Sequence, residues 1–498
     1  MKLLFLFGAT FVKILAASRL CDQDDGPSLT VGTLTGTYTG LQNSEYPGVR
    51  EFRNIPYAEP PVGKLRWKPP VPLHPSQSHH HSYRFPPSCP QYLTSHLSLW
   101  NANITDFSIP TGDQSHYAGE MAQTTAEDCL SLAIWTPINA TSKDKLPVGL
   151  FLPGGSFRAG WVNRSQKHII VTMNYRVNIF GFPNSAGLED NDLGILDQRL
   201  ALEWVYANIE AFGGDSSRIT VWDHSAGGVS ADVLNFAFHD DLLAAGFFLM
   251  SGAAMRTFAQ GDNALQTNFT YVSKELGVPV NLITNLIGHH GDEKKKPSLF
   301  FRPSVDNKII FQNYIERAEK GLISKVPALI SDTSNEQSSL IAYPIDNLTQ
   351  GPNKTEVDRG TLNDFICPAF NSSNVREFNN LTTYRYQYAG NYSNLTPFSW
   401  MGAYHGAHLP MIFGSYNLTG GATDFQKQVA ETMQDYVLAF LEDPKDGLKS
   451  LTWLPGSSRS GVDSSIVRFR AGDVVVQSIN ASDVDVACLG RGHYNSHP

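Results

Sequence analysis

The run VWDHSAGGVSADV, from Val221 to Val233, sets a serine among small residues where a β-branched stretch gives way to a helix-like one. A serine at a sharp strand-to-helix corner can project its hydroxyl as a nucleophile, and such a corner usually carries Gly-x-Ser-x-Gly. Here the five residues are Asp223, His224, Ser225, Ala226 and Gly227, with an acid where the first glycine belongs. The chemistry open to Ser225 is acyl transfer. It requires a base to take the hydroxyl proton, an acid to orient that base, and donors for the oxyanion. The amide of Ala226 would then sit at a helix N-terminus, aimed at developing negative charge. The local run is equally satisfied by Ser225 as a simple cap of the following helix.

A corner of this kind needs a strand before it, a helix after it and a sheet to hold both. RITVWDHS reads as the strand and AGGVSADVLNFAF as the helix. LPVGLFLPGG, HIIVTMNYR, AAGFFLMSGAA and VPALISDTS read as further buried strands. GILDQRLALEWVYANIEAFGG places Leu196, Leu200, Leu202, Val205 and Ile209 at helical spacing and stops at Gly213 and Gly214. Strands alternating with helices predict an α/β fold, a mostly parallel sheet covered on both faces. The strand-like N-terminal LTVGTLTGTYTGL predicts a small antiparallel edge added to that sheet. No internal repeat or long linker divides the chain.

The net charge of −9 leaves no basic footprint, which excludes nucleic acid as a partner. MKLLFLFGATFVKILAASRLC opens with Lys2, runs apolar from Leu3 to Leu15 apart from Lys13, and offers Ala16, Ala17 and Ser18 for cleavage. It predicts a secretory signal over residues 1–18 and a mature domain over 19–498. Asn-x-Ser/Thr sequons fall at Asn103, Asn139, Asn163, Asn268, Asn347, Asn353, Asn371, Asn380, Asn391, Asn394, Asn417 and Asn480, a density that predicts a secreted glycoprotein. Of the five cysteines, four can pair in an oxidising compartment. No later segment has the length and apolarity of a membrane span. His79 to His81 lack separated ligand spacing, so they read as a solvated loop and no metal is expected. HHGDEKKKP reads as another solvated loop. No phosphate loop or dinucleotide fingerprint is present, and no cofactor is expected.

Longer segments weigh more than the corner itself. They are NIEAFGGDSSRITVWDHSAGG, EDCLSLAIWTP at Glu127 to Pro137, VTMNYRVNIFGF at Val171 to Phe182, GILDQRLALEWVYANI at Gly194 to Ile209, and GAYHGAHLPMIFG at Gly402 to Gly414. In this order, over most of the chain, they resemble the type-B carboxylesterase/lipase family of cholinesterase-like α/β-hydrolases, with secreted fungal-type carboxylesterases the nearest in kind. The resemblance implies the α/β-hydrolase fold and hydrolysis of a small-molecule or lipid ester through an acyl-enzyme. It makes Ser225 the nucleophile, His405 in AYHGAHLP the general base and Glu336 in VPALISDTSNEQSS the acid. The chain order Ser, Glu, His is the one this fold uses. The family's oxyanion glycines correspond to Gly154-Gly155-Ser156-Phe157, which assigns Gly155, Ser156 and Ala226 as donors. It also implies a Cys89–Cys129 bridge closing a loop that contains Trp100 and Phe107. Cys367 and Cys488 are a candidate second bridge, and Cys21 has no assigned partner.

The chain departs from the family at four places. Ser156 replaces a glycine and adds a side chain beside the acyl pocket. Asp223 and His224 replace the Gly-Glu pair before the nucleophile. Asp223 would strain or open the corner, and the lost carboxylate disfavours choline esters. The stretch GWVNRSQKHIIVTMNYR, with its loop at 161–168, is short, and the segment from Met255 to Phe300 is compressed. The expected activity is a carboxylic ester hydrolase acting on neutral or apolar esters, with Phe157, Trp161 and Trp400 as candidate pocket walls. Two alternatives share these residues: a non-catalytic homologue used for binding, and an ester-forming biosynthetic enzyme. The oligomeric state is not encoded in any of these features.

Overall fold

The computed structural model describes residues 28–92, 99, 125–152, 160–255, 268–272, 280–296, 298–344, 346–396, 398–418, 420–456 and 465–498. Its strands are β1 (Thr30–Thr33), β2 (Gly36–Thr39), β3 (Leu41–Gln42), β4 (Val49–Pro56), β5 (His79–His81), β6 (Ser131–Pro137) and β7 (Leu146–Leu152). They continue with β8 (Ile169–Met173), β9 (Gly214–His224), β10 (Gly246–Met250), β11 (Ala328–Thr333), β12 (Thr383–Tyr388), β13 (Ser465–Ala471) and β14 (Val474–Asn480). An eleven-stranded sheet runs in the order β14-β13-β12-β11-β10-β9-β7-β8-β6-β4-β3. From β13 to β8 neighbouring strands are parallel, while β14 at one end and β6, β4 and β3 at the other are antiparallel. This is the α/β-hydrolase fold.

The central strands are apolar throughout because both faces are covered. Alternation along each strand sorts the side chains. Val221, Phe247, Leu249 and Ile330 join one core cluster, with residues of α1 (Leu193–Asn208) and α2 (Ala226–Ala237). Trp222, Phe248, Met250 and Leu329 join another, with residues of a long helix at Asp424–Glu442. The sheet therefore packs helices on two faces, and its strand ends are free to carry chemistry.

The expected small antiparallel N-terminal edge is present. LTVGTLTGTYTGL does form the antiparallel pair β1–β2, but in a separate three-stranded sheet, order β1-β2-β5. The antiparallel edge of the main sheet is made by β3, β4 and β6 instead. The histidine run is not a loop: β5 pairs parallel with β2. Tyr38 stacks on His80 with ring centroids 5.2 Å apart, and Thr39 Oγ1 lies 2.7 Å from His79 Nε2. Covering the open edge of β2 accounts for this pairing. The start of HHGDEKKKP is not a loop either, since His289 to Asp292 close a helix spanning Val280–Asp292. Histidines near a helix C-terminus complement its dipole.

Candidate active site

Ser225 follows directly on β9 and precedes α2. Its backbone sits at φ 63°, ψ −120°, a left-handed conformation for a residue with a Cβ. Such a conformation costs about 1–3 kcal/mol and persists only where the surroundings over-determine it. Here the Ser225 N–H donates to Met250 O at 2.9 Å, and its carbonyl accepts from Val229 N at 3.1 Å. Two glycines let the neighbouring backbone close in. A Cβ on Gly227 would lie 2.6 Å from Leu152 O, and one on Gly252 would lie 2.2 Å from Ser225 O. The ends of β7, β9 and β10 thus converge on one tight corner.

The order β9-β10-β11-β12 carries the other two groups to the same edge of the sheet. Glu336 opens a 3₁₀ turn just after β11 (Glu336–Ser339), and His405 lies in the loop that follows β12. His405 Nδ1 and Glu336 Oε2 are 2.6 Å apart, with Glu336 fully buried. The other carboxylate oxygen accepts from Ser251 Oγ and from Thr333 N, each at 2.6 Å. Burial alone would raise the Glu336 carboxyl. His405, Ser251 and the Thr333 amide outweigh it and hold the group below its usual range. The His405 ring lies 4.3 Å from that of His224, the residue next to Ser225. Glu336 and His405 are thus in direct contact, one residue removed from Ser225. Ser251 escaped sequence reading, because a serine after a buried strand reads as an ordinary loop residue.

Asp223 does not open the corner. β9 keeps register with β10 through Asp223–Leu249 and His224–Met250. The Asp223 side chain is fully buried on the Gly227 side of the turn. Burial, reinforced by Asp232, drives its carboxyl well above the usual range. An acid with a raised folded pKa stabilises the fold fully below its unfolded pKa and loses that contribution as pH rises toward the folded value. Asp223→Asn, a neutral isostere, is therefore expected to match wild type near pH 4 and exceed it in stability toward pH 8. The difference should grow by up to about 1.4 kcal/mol per pH unit. Denaturant melts across that range check this; parallel pH profiles for the two proteins would contradict it. His224 is held neutral by burial, with His405 and His408 adding to the effect.

Ala226 is the first residue of α2, where its N–H has no intrahelical acceptor. Gly155, Ser156 and Phe157 lie outside the described residues, as do residues 1–18, Cys21, Trp100, Asn103 and Phe107. The short loop retains a single-turn helix at Gly160–Ser165, which contains Trp161. Trp400 is tied down by its Nε1–H donating to Leu348 O at 2.7 Å and stacks on Phe398 with centroids 5.6 Å apart. Disulfides join Cys89 to Cys129 and Cys367 to Cys488. Among the described residues no group of three or more His, Cys, Asp or Glu side chains is arranged to hold a metal ion, and no helix is long and apolar enough to cross a membrane.

Comparison with known proteins shows the family and the fold. A family model described as the carboxylesterase family matches residues 27–365. The chain is 36% identical over 508 residues to a chlorogenic acid esterase of Aspergillus niger, covering 93% of this chain and 94% of that one. It is 33% identical over 544 residues to secreted lipase 5 of Gibberella zeae, covering 99% of each. Its fold is similar to that of a thermophilic PNB esterase, with a TM-score of 0.69, 24% identity, and coverage of 93% of this chain and 99% of that one.

Proposed function

The chain belongs to the carboxylesterase family and is a carboxylic ester hydrolase, and from that premise we propose that Ser225 is its nucleophile, His405 its general base and Glu336 the acid that orients the base. Ser225 Oγ attacks the ester carbonyl carbon as His405 takes its proton. The carbonyl oxygen becomes an oxyanion facing the Ala226 N–H, with the amides of Gly155 and Ser156 as the further donors. The C–O bond to the alcohol then breaks, and His405 returns its proton to the leaving oxygen. A water, activated by the same ring, attacks the acyl-Ser225 ester and regenerates the enzyme. Ionised Glu336 holds the His405 tautomer with Nδ1 protonated and stabilises the imidazolium. The observation that carries this reading is the buried Glu336–His405 pair set against His224, one residue from a serine in a left-handed backbone.

A neutral or apolar ester fits the site best. Around His405 the neighbours His224 and His408 are held neutral by burial, which lowers the latter to about 4, and the residue directly before Ser225 is His224 rather than a carboxylate that would attract a cationic alcohol. The relatives' names point the same way: one is a chlorogenic acid esterase, the other a secreted lipase. The test is an acid quench of the protein during turnover of p-nitrophenyl butyrate, read by intact mass. A species heavier by one butyryl group is expected. No turnover of acetate, butyrate and palmitate esters would sink the proposal.

Residues 1–18 are proposed as a secretory signal, and the sequons supply an independent check. Asn139, Asn347, Asn417 and Asn480 are exposed. Asn268 is buried with its amide donating to Phe300 O, and the Asn394 amide donates to Tyr416 O at 2.8 Å. Glycan is expected at the first four and absent from the last two, because a glycan would displace those amide hydrogen bonds. Peptide mapping after enzymatic deglycosylation in heavy-oxygen water reads this directly. A modified Asn268 in folded protein would contradict it.

A further inference from the structure

The helix α3 (Lys354–Thr361) does not pass smoothly into α4 (Cys367–Phe378). Between them Leu362–Ile366 form a π-helical turn. Such turns interrupt an α-helix at a cost and recur at functional sites. Both flanks of this one are anchored. Thr361 Oγ1 accepts from the N–H of Gln337, the residue after Glu336, at 3.1 Å, and Cys367 is bonded to Cys488. The turn delivers Phe365, 5% exposed, to the His405 ring, with centroids 5.0 Å apart and planes inclined at 51°.

We propose that Phe365 is a positioning residue for ester hydrolysis, fixing the His405 ring and favouring its imidazolium form. This rests on His405 being the general base. A cation over the face of an aromatic ring, within about 6 Å of its centroid, is attracted through the ring quadrupole, most strongly where water is excluded. The His405 ring gains positive charge when it takes the serine proton, so this attraction is stronger in the transition state than with bound ester. The other groups around the ring are Glu336 from the loop after β11 and His224 from β9, with His408 packed against His224 and interacting electrostatically with His405. Behind them stand Asp332 on β11 and Tyr386 on β12, which face Glu336 and His408 respectively. Glu336 is the one that favours the cation by charge. Phe365 supplies a second, uncharged contribution from a separate element.

The test is Phe365→Leu, which keeps an apolar side chain and removes the quadrupole. For this variant kcat is expected to fall about 3- to 30-fold, with the acid limb of kcat/KM displaced about 0.5 to 1.5 units to lower pH. KM should stay unchanged. Loss of packing alone would admit water, which favours the cation, and would not move the limb to lower pH. If Phe365→Leu fails to fold, Phe365→Met gives the same readings. Fluorophosphonate labelling is followed in the same preparations. If wild type labels at Ser225 and Ser225→Ala does not, while the folded Phe365 variant keeps its kcat and its acid limb, the role of Phe365 alone is overturned. If Ser225→Ala labels like wild type, the triad reading fails and this proposal with it.

Discussion

Ser225→Ala is expected to lower kcat about 10⁴- to 10⁶-fold while leaving KM nearly unchanged. The hydroxyl is the only atom removed, and the oxyanion donors are backbone amides that the substitution leaves in place. Residual activity above water should therefore persist. The fold should survive, because alanine keeps the Cβ and the same left-handed backbone at φ 63°. Ser225→Gly separates the two contributions. Glycine adopts that φ without steric cost, so it should be as inactive as alanine but more stable than wild type by about 1 kcal/mol. Steady-state kinetics and thermal melts of the two variants decide this. Activity within tenfold of wild type would remove Ser225 from the mechanism.

Glu336→Gln is expected to cost about 10⁴-fold in kcat with little change in KM. The hydrogen bonds give the reason. One carboxylate oxygen accepts from both Ser251 and Thr333, and the other pairs with His405 Nδ1. A glutamine has only one accepting oxygen. The two-donor side claims it, which turns the amide NH₂ toward Nδ1. His405 then carries its proton on the other nitrogen and cannot accept one from Ser225. The variant should also differ in acid stability. Glu336 has a lowered folded pKa, so its stabilising contribution is complete above the ordinary carboxylate range near about 4.3 and is lost as pH falls through the lowered value. Glu336→Gln should lack that acid-side decline. Retention of more than a tenth of wild-type kcat would contradict the role given to Glu336.

The scaffold was legible because buried parallel strands write themselves as unbroken apolar runs. RITVWDHS, AAGFFLMSGAA and VPALISDTS all became strands of the main sheet. The site was legible only in part. Ser225 could be read locally as a candidate, since its corner has recognisable neighbours. Glu336 and His405 could not, because nothing within a few residues of either distinguishes a catalytic group from a buried or surface one. They became visible through the order of long segments resembling a family. Ser251 and Phe365 stayed hidden. The roles proposed for them depend on which strand end or helical turn lies beside Glu336 and His405, and that is decided by sheet order and by a π turn with no pattern in residue type. The small N-terminal antiparallel edge was legible as strands, while the division of those strands between two sheets was not, since alternation identifies a strand but not the sheet it joins.

The most direct measurement is labelling of the purified protein with a fluorophosphonate, followed by proteolysis and mass mapping of the modified peptide. One equivalent of phosphonate is expected, confined to Ser225, with simultaneous loss of esterase activity. Ser225→Ala should take up none. Labelling at another residue, or equal labelling of wild type and Ser225→Ala, would contradict the assignment of Ser225 as the nucleophile.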